Sequence, residues 1–275
     1  MTGVGPSQTP VAAGGVSLPP SPLIRETLAT GRQVQDHARR WLADFAERIG
    51  AGDAEQLVAP FGDPARRLAD VAGEREAGLL VVGSNGRSAV RDVLLGSVSG
   101  RLAADTPVPV LIVPPCVQGS LVPTEWTGRR LVCGFDGSEN ASRAAFFAAA
   151  LAARVGADVH IACVLDGASE SPSIAQPVQA ELLAAAAAAS RERDGRRCAI
   201  TREQRRGDPA DQLERVAAAA TAPALVLGTR GRAPWRATLL GSVSRRVLDL
   251  ARRPVILVSP AAVIAGDDGS SSAPV

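Results

Sequence analysis

The 275-residue sequence contains no lysine and no tyrosine, and its only histidines are His37 and His160. The lack of lysine excludes a Walker A phosphate loop, in which a lysine reaches the phosphates, and every mechanism that forms a Schiff base on lysine. The two histidines are too far apart to indicate a zinc motif, and they leave few candidates for a general base. His160 lies in an apolar stretch (159–165), so we interpret it as a packed or edge-strand histidine.

Cysteine is scarce as well, and its spacing indicates no special chemistry. The four residues, Cys116, Cys133, Cys163 and Cys198, show no CxxC pattern, and two of them lie in predicted core strands. We interpret them as reduced, buried apolar side chains rather than as a disulfide framework.

Charge and hydropathy exclude two further classes of protein. Thirty basic residues against twenty-eight acidic ones leave a net charge of +2, which does not indicate nucleic acid as a partner. The longest apolar runs are interrupted by glycine, proline or charge, so no membrane-spanning helix and no secretory signal is predicted. We therefore expect a cytoplasmic protein without a membrane partner.

An internal repeat with an offset of 145 residues organises the chain. Residues 62–115 aligned with residues 207–260 give 25 identities in 54 positions without a gap. The identities concentrate in a GDPA sequence, in isolated glycines and in an LLGSVS run, which shared composition does not explain. Two copies of one structural unit are therefore present.

In the second copy, short apolar strands alternate with helices. Strands are predicted at 130–135, 158–165, 199–204, 224–227 and 255–258, and helices at 139–155, 176–194, 209–220 and 241–251. Ser138 and Asp208 are predicted N-caps, and Pro209 takes the first position of its helix. The alternation predicts an α/β fold, in which helices cover both faces of a mostly parallel sheet.

The first copy is incomplete, because the offset places its first strand before residue 1. We divide the chain into a flexible leader (1–22), an incomplete first domain (23–115), a linker (116–128), a complete second domain (129–260) and a disordered tail (261–275). Residues 15–18 are at best a strand remnant, and residues 30–49 are predicted to form a helix equivalent to 176–194. Degeneration or a misassigned start codon would explain the loss.

Each copy carries a Gly-x2-Gly-x9-Gly-Ser motif that follows an apolar strand and opens a helix. The motif residues are Gly83, Gly86, Gly96 and Ser97 in the first copy, and Gly228, Gly231, Gly241 and Ser242 in the second. Glycine lets the backbone approach an anion or adopt a positive φ, and a helix N-terminus offers N–H groups and a positive dipole end. Without lysine, further neutralisation falls to Arg87, Arg230 or Arg232. The alternative is a tight strand-to-helix turn with serine as an ordinary N-cap, but the repetition favours a phosphate site.

The glycine motif, the LLGSVS run, the GDPA sequence and the final apolar strand together resemble the universal stress protein family in its tandem-domain form. The resemblance covers residues 30–115 and 130–260. It implies a Rossmann-like, five-stranded parallel sheet sandwiched by helices, similar to the adenine nucleotide alpha hydrolase fold, in two tandem copies. Family members with this glycine spacing form the ATP-binding branch.

Carried over by position, the resemblance implies an ATP site in the second copy. The implied residues are Asp136, Val164, Gly228, Gly231, Gly241, Ser242 and Val243, and Mg²⁺ would enter with ATP near Asp136. The backbone of Val164 would read the adenine edge. The alternative role of Asp136 is an Asx turn or an N-cap.

The first copy matches only the phosphate half of this site. The matching residues are Gly83, Gly86, Gly96, Ser97 and Val98, whereas Asp136 has no counterpart. We therefore expect one competent site in the second copy and a weak or empty one in the first.

Two other features have structural interpretations. Asp63 and Asp208, in the GDPA sequences, are interpreted as helix caps rather than as catalytic acids. The arginine-rich stretch 191–206 is interpreted as a solvated helix end rather than as a partner surface.

These observations favour a non-enzymatic, ATP-binding module of the stress response that hydrolyses ATP slowly at most. No catalytic residue and no metal site formed by the protein alone is assigned. The alternatives are a nucleotide-free interaction scaffold and an ATP pyrophosphatase-like enzyme, although residues 134–138 depart from the SGGxDS loop of such enzymes.

The resemblance also implies how the repeats associate. Family members dimerise through the last strand, so strands 110–113 and 255–258 are expected to pair as an internal pseudo-dimer. The apolar surface left by the missing elements favours a homodimer.

Overall fold

The computed structural model describes residues 22–48, 62–84, 96–115, 123–165, 198–231 and 240–264. The chain divides into two compact units, Met1–Gly62 and Asp63–Val275. This division falls inside the stretch predicted as the first domain, and the predicted domain boundaries stay predictions. The strand remnant at 15–18, the helix at 176–194 and Cys116 lie outside the described residues.

The first unit contains helix α1, Pro22–Arg48. The sequence predicts this helix from residue 30, but it begins at Pro22, where the missing N–H of proline costs no helical hydrogen bond. Trp41 stacks on Phe45 with ring centroids 5.5 Å apart, and the guanidinium of Arg48 lies 5.8 Å from the centre of the Phe45 ring. These contacts between residues about one turn apart support the second half of the helix.

The second unit is built on one seven-stranded sheet. Its strands are β1 (Leu80–Gly83), β2 (Val110–Val113), β3 (Arg130–Gly134), β4 (Asp158–Leu165), β5 (Ile200–Arg206), β6 (Leu225–Gly228) and β7 (Val255–Val258), in the order β1-β2-β7-β6-β3-β4-β5. Its helices are α2 (Pro64–Glu74), α3 (Ser97–Ala104), α4 (Glu139–Val155), α5 (Pro209–Ala219) and α6 (Ser242–Leu250). No helix in the described parts of the chain is long and apolar enough to cross a membrane.

The second repeat supplies five parallel strands in the order β7-β6-β3-β4-β5. This arrangement confirms the expected five-stranded α/β fold. Local signals determine the helix bounds: Ser138 accepts a hydrogen bond from the backbone N–H of Ala141 at 3.1 Å and begins α4, and Gly156 ends it in the left-handed region with φ of 72°.

The first repeat adds β1 and β2 to the same sheet. These two strands are parallel to each other, but β2 pairs antiparallel with β7, with Leu111 opposite Ile256. The predicted pairing of residues 110–113 with residues 255–258 is therefore confirmed. Because the direction reverses at this pair, the strands of the two repeats have their carboxyl ends at opposite edges of the sheet.

Apolar side chains fill the space between the sheet and the helices on both faces. On one face, α4 packs through alanines such as Ala144 and Ala148, which are completely buried in one cluster with Ile256. On the other face, α5 and α6 contribute Leu213 and Val247 to a second cluster. The small alanine side chains let the backbone of α4 lie close to the sheet and to Gly228 at the end of β6.

Residues 259–264 cross from β7 to the first repeat. The hydroxyl of Ser259 donates to the carbonyl of Thr106 at 2.7 Å, and the N–H of Val263 donates to the carbonyl of Pro107 at 2.8 Å. Ala262 and Ile264 are buried. Residues 261–264, which the prediction assigns to the tail, thus make backbone and apolar contacts across the junction of the repeats.

Part of the predicted linker is packed as well. Residues Pro123–Trp126 form a 3₁₀ helix, and Trp126 is buried in the same cluster as α4. This packing anchors the chain just before β3.

Residues 200–206 form strand β5 and pair with β4 from Val159 to Leu165, which confirms the strand predicted at 199–204 and corrects the helix-end interpretation for this part of the arginine-rich stretch. His160 lies on β4, one strand inside this edge, with Nδ1 2.8 Å from Thr201 Oγ1 and Nε2 3.3 Å from Glu203 Oε1. It is thus a packed histidine and not an edge-strand one.

The carboxylate of Glu203, next to His160, has a lowered pKa. Partial burial raises this pKa, but interactions with Arg205 and His160 outweigh burial and hold it below its ordinary value.

Cys133, Cys163 and Cys198 are buried and form no disulfide, as predicted for them. Burial raises the pKa of the Cys133 thiol to about 12 and that of Cys198 to about 11. Since the thiolate is the reactive form, both groups are protonated and unreactive near neutral pH.

The buried thiols predict slow modification of the folded protein. In a Cys116→Ser variant, we expect only slow reaction with Ellman's reagent at pH 8, because Cys133, Cys163 and Cys198 are buried and their pKa values are raised. Guanidinium chloride should then release all three thiols to fast reaction. A fast-reacting thiol before denaturant is added would contradict the described burial.

The antiparallel junction predicts a stability difference between two neighbouring strands. Leu111→Ala, at the junction, should lower the free energy of unfolding by about 2–5 kcal/mol, because it leaves a cavity in the core. Val81→Ala, on β1, should lower it by less than about 1 kcal/mol, because Val81 is exposed. Guanidinium unfolding followed by circular dichroism measures both values, and equal losses would argue against a shared core at the junction.

Candidate functional site

Three parallel strands of the second repeat end together at one edge of the sheet. β6 and β4 flank β3 on its two sides. The chain continues from β3 into α4 on one face and from β6 towards α6 on the other, since these helices belong to different apolar clusters. Crevices of this kind, where the connections diverge to opposite faces, are the usual ligand sites of parallel α/β sheets. Asp136 follows β3, Val164 is the penultimate residue of β4, and Gly228 ends β6.

The two carboxylate oxygens of Asp136 have different surroundings. Oδ1 accepts a hydrogen bond from the backbone N–H of Ser138 at 3.0 Å, which is the Asx turn considered as an alternative role. Oδ2 lies beside Gly231, where an added Cβ would be only 2.6 Å from it. Asp136 therefore supports the start of α4 and also faces the glycine loop, which is the connection from Gly228 at the end of β6 to Gly241 at the start of α6. Its role in the Asx turn does not exclude a role in binding.

The glycines of the second motif are required by close packing rather than by their φ angles. At Gly228, a Cβ would lie 2.8 Å from Asn140 Nδ2 and 2.9 Å from the Asn140 carbonyl oxygen. At Gly241, it would lie 3.0 Å from the carbonyl oxygen of Thr229. Neither these two glycines nor Gly231 has a positive φ, so that suggested reason for glycine does not apply here. A side chain at Gly228 would push the loop away from the backbone of Asn140, one at Gly241 would press on the Thr229 carbonyl, and one at Gly231 would displace the carboxylate of Asp136.

Two hydrogen bonds close the loop between β6 and α6. The N–H of Gly241 donates to the carbonyl of Thr229 at 2.7 Å, and the hydroxyl of Ser244 donates to the carbonyl of Gly228 at 2.8 Å. The end of the strand and the start of the helix are thereby held together, whatever the path of the chain between them.

The first repeat closes its loop in a similar way. The N–H of Gly96 donates to the carbonyl of Ser84 at 2.6 Å, and the hydroxyl of Ser99 donates to the same carbonyl at 2.9 Å. Sequence reasoning assigned no role to the second serine of the GSVS run, Ser99 or Ser244. The presence of this serine in both copies is the sequence signal that indicates a shared structural role.

Helix α6 begins without a side-chain cap. Gly241 is the N-cap, with φ of −60° and ψ of 152°, and Ser242 is the first helical residue. The alternative interpretation of Ser242 as an ordinary N-cap is therefore wrong. The N–H groups of the first turn have no capping side chain at the positive end of the helix, and Ser242 and Val243 are exposed. An anion can approach this turn.

Each GDPA aspartate caps one helix and also contacts another. Asp208 forms an ion pair with Arg246 of α6, with 3.4 Å between Oδ1 and Nε, and Asp63 pairs with Arg101 of α3 in the same way. The backbone N–H of Arg66, followed by Arg101, holds the pKa of Asp63 below its ordinary value. The interpretation of both aspartates as helix caps is confirmed. Their link to the helix after the glycine loop could not be read from the sequence.

The two glycine motifs lie at opposite edges of the sheet, because β2 and β7 are antiparallel. Gly83 ends β1, and Gly96 with Ser97 and Val98 begins α3, at the edge away from Asp136 and Val164. Asp136 and Val164 therefore cannot contribute to a site at the glycine motif of the first repeat in the same chain. Three of the sequence candidates lie outside the described residues: Gly86, Arg87 and Arg232.

Acidic and metal-ligating side chains are sparse at this edge. In the described ranges, no three His, Cys, Asp or Glu side chains come close enough together to hold a metal ion. A magnesium ion beside Asp136 would thus depend on phosphate oxygens of a bound ligand for further coordination.

Comparison with known proteins agrees with this architecture. The model of the universal stress protein family matches residues 14–114 and again residues 128–259. Universal stress protein Rv2623 of Mycobacterium tuberculosis is 33% identical over 248 residues, which is 88% of this chain and 80% of that protein. A universal stress protein of Mycolicibacterium smegmatis is 32% identical over 260 residues, covering 89% and 83% of the two chains.

Among solved structures, a universal stress protein from Archaeoglobus fulgidus matches with a TM-score of 0.57 and 23% identity, over 90% of this chain and 82% of that chain. This likeness supports the fold. The two matches to the family model, together with relatives that align along most of their length, establish that the chain belongs to the universal stress protein family.

Proposed function

We propose that the second repeat binds an adenine nucleotide, ATP together with Mg²⁺, and that the protein is a cytoplasmic regulatory module of the stress response rather than an enzyme. The observation that carries the proposal is the meeting of Asp136 with Gly231 at the edge where the uncapped N-terminus of α6 begins. An acidic group and an anion-binding helix end, side by side, suit a ligand with both hydroxyl groups and phosphates.

The chemistry of the residues present fits this ligand. Ser242 offers a hydroxyl and a backbone N–H at the start of α6, where the helix dipole favours phosphate. Gly231 carries no side chain that would cover Asp136 Oδ2. Val164 places backbone polar groups at the end of β4, where an adenine edge would find hydrogen-bond partners. Because the chain has no lysine, backbone N–H groups, bound Mg²⁺ and arginines such as Arg230 would neutralise the phosphate charge.

The position of His160 supports a non-enzymatic role. It lies opposite Val132 of β3 and four residues before Val164, so its Cα is about 13 Å from Val164 at a rise of about 3.3 Å per residue. Its ring nitrogens are also engaged by Thr201 and Glu203. It is therefore badly placed to act as a general base on a nucleotide at that edge.

Proline at position 242 tests the helix-end interaction directly. Ser242→Pro removes one N–H and the hydroxyl, yet it suits the helix, because proline is favoured at the first helical position and Gly241 already has the extended conformation that precedes proline. In calorimetric titration of nucleotide-stripped protein, we expect one Mg-ATP per chain for the wild type. The variant should bind about tenfold more weakly, because a hydrogen bond to a charged group is lost.

Ser97→Pro, at the equivalent position of the first repeat, is the matched control and should change neither affinity nor stoichiometry. A loss caused by Ser97→Pro would place a working site in the first repeat instead. Gly228 is less suitable for such a test, since any side chain there collides with Asn140 and disturbs the fold itself.

The same titration, together with an assay for pyrophosphate release from ATP, separates the alternative functions. A wild type that binds no Mg-ATP would favour a nucleotide-free scaffold, whose glycines serve only its loops. Release of pyrophosphate from ATP at a steady rate would favour the pyrophosphatase-like enzyme. Stoichiometric binding without pyrophosphate release is the outcome expected of a regulatory module.

We further propose that a second copy of this chain covers the outer edge of β1. In the described parts of the chain, nothing pairs with that edge, and Val81 is 55% exposed, whereas its repeat equivalent Val226 is 0% exposed. The edge is apolar throughout, unlike β5, which carries three arginines. Equivalent strands of the two repeats already pair antiparallel at the β2–β7 junction, so pairing of β1 with its own copy would reuse that geometry.

Val81→Lys should abolish such a dimer, because a two-fold axis brings the two introduced charges close together. Thr201→Lys, on the other edge strand, is the control and should not change the association. Sedimentation velocity at micromolar concentrations measures both. A wild-type protein that stays monomeric up to tens of micromolar would rule out the dimer.

A further inference from the structure

Asn140 is a buried polar residue in the first turn of α4, beside the loop that follows β6. It is only 7% exposed, and its Nδ2 donates to the carbonyl of Arg230 at 3.4 Å. Its own backbone and carboxamide leave no room for a side chain at Gly228. The carboxamide therefore touches two points of the glycine loop, the end of β6 and the residue before Gly231.

The same loop is held from the opposite face by α6, through the hydrogen bond from Ser244 to the carbonyl of Gly228. The end of β6 thus lies between two helices. Asn140 holds the side of α4, the helix whose start is supported by Asp136 through Ser138. Asn140 consequently connects the Asp136 turn to the glycine loop.

The second polar atom of the carboxamide has no structural role among the described residues. Asn140 Oδ1 is buried, and no hydrogen-bond partner for it lies in the described ranges. A buried amide oxygen without a partner is unfavourable, and an apolar residue would avoid that cost. The Nδ2 donor, which bonds to the carbonyl of Arg230, is thus the group that favours asparagine over an apolar residue at this position.

We infer that Asn140 is a positioning residue, which sets the distance between the glycine loop and Asp136 so that the phosphate end of a nucleotide is accommodated. The inference rests on the proposed nucleotide site. It assigns Asn140 no contact with the ligand: the residue acts through the carbonyl of Arg230 and the backbone of Gly228.

Asn140→Ala and Asn140→Asp test this role, with Ser142→Ala as the matched control. Ser142 lies in the same turn of α4, but its hydroxyl donates to the carbonyl of Ser138 and not to the loop. Asn140→Ala should weaken Mg-ATP about tenfold and leave adenosine within about twofold, because only the phosphate side depends on the loop. Asn140→Asp should weaken Mg-ATP further, since a carboxylate then faces the carbonyl of Arg230. Ser142→Ala should change neither affinity.

Hydrogen exchange provides a measurement that does not require any ligand. The N–H of Gly241 is bonded to the carbonyl of Thr229, so its exchange reports the closure of the loop. In the free protein, Asn140→Ala should speed this exchange about tenfold, whereas Ser142→Ala should not. Unchanged exchange, or equal losses of affinity for Mg-ATP and adenosine, would overturn the inference. A wild type that binds neither ligand would overturn the proposed site, while the exchange experiment would still decide whether Asn140 holds the loop.

Discussion

The parallel pairing of β3 with β6 is the interaction on which the candidate site depends. Val132 lies opposite Leu225 and Cys133 opposite Val226, and all four residues are completely buried. Because the two strands are parallel, both chains leave the sheet at the same edge, and because they continue into helices on opposite faces, a crevice remains between them. Asp136 and Gly231 meet in that crevice as a direct result of this pairing.

The β2–β7 pair determines the relation between the repeats. It makes one sheet of seven strands from five strands of the second repeat and the two described strands of the first, and residues 259–264 reinforce it with hydrogen bonds to Thr106 and Pro107. The antiparallel direction also keeps the two glycine motifs at opposite edges, so the first repeat extends the core without contributing to the second site. Two copies of one motif can thus lie in different surroundings within a single sheet.

The glycine motif has a structural explanation that is independent of any ligand. In the second repeat, Gly228 packs on Asn140, Gly241 on Thr229 and Gly231 on the carboxylate of Asp136, and in each repeat a serine closes the same loop. In the second repeat, close packing is therefore sufficient to favour glycine at Gly228 and Gly241. The neighbours of the motif carry the functional argument: the second repeat has Asp136 and the end of β4 beside its loop, and the described part of the first repeat has no equivalent of either.

Local patterns in the sequence predicted much of the second repeat. The bounds of α4, β4 and β7 agree with the prediction, and Ser138 and Asp208 are the caps that were expected, because a cap depends on neighbours within about three residues. The motifs indicated the family, and the family resemblance in turn implied which two strands would pair. The prediction was less accurate for the arginine-rich stretch, where strand β5 is held by its pairing with β4.

Only the tertiary structure decided how these parts meet. Asn140 packs against Gly228, Arg246 pairs with Asp208, and Ala262 and Ile264 join the core. The separation of the two motifs to opposite edges follows from one antiparallel pair. Such contacts join residues far apart in the chain, and they depend on strand order and direction, which periodicity and capping signals do not contain. The sequence by itself therefore determined the elements, the repeat and the candidate residues, whereas the order and direction of the strands decided which of those residues share a site.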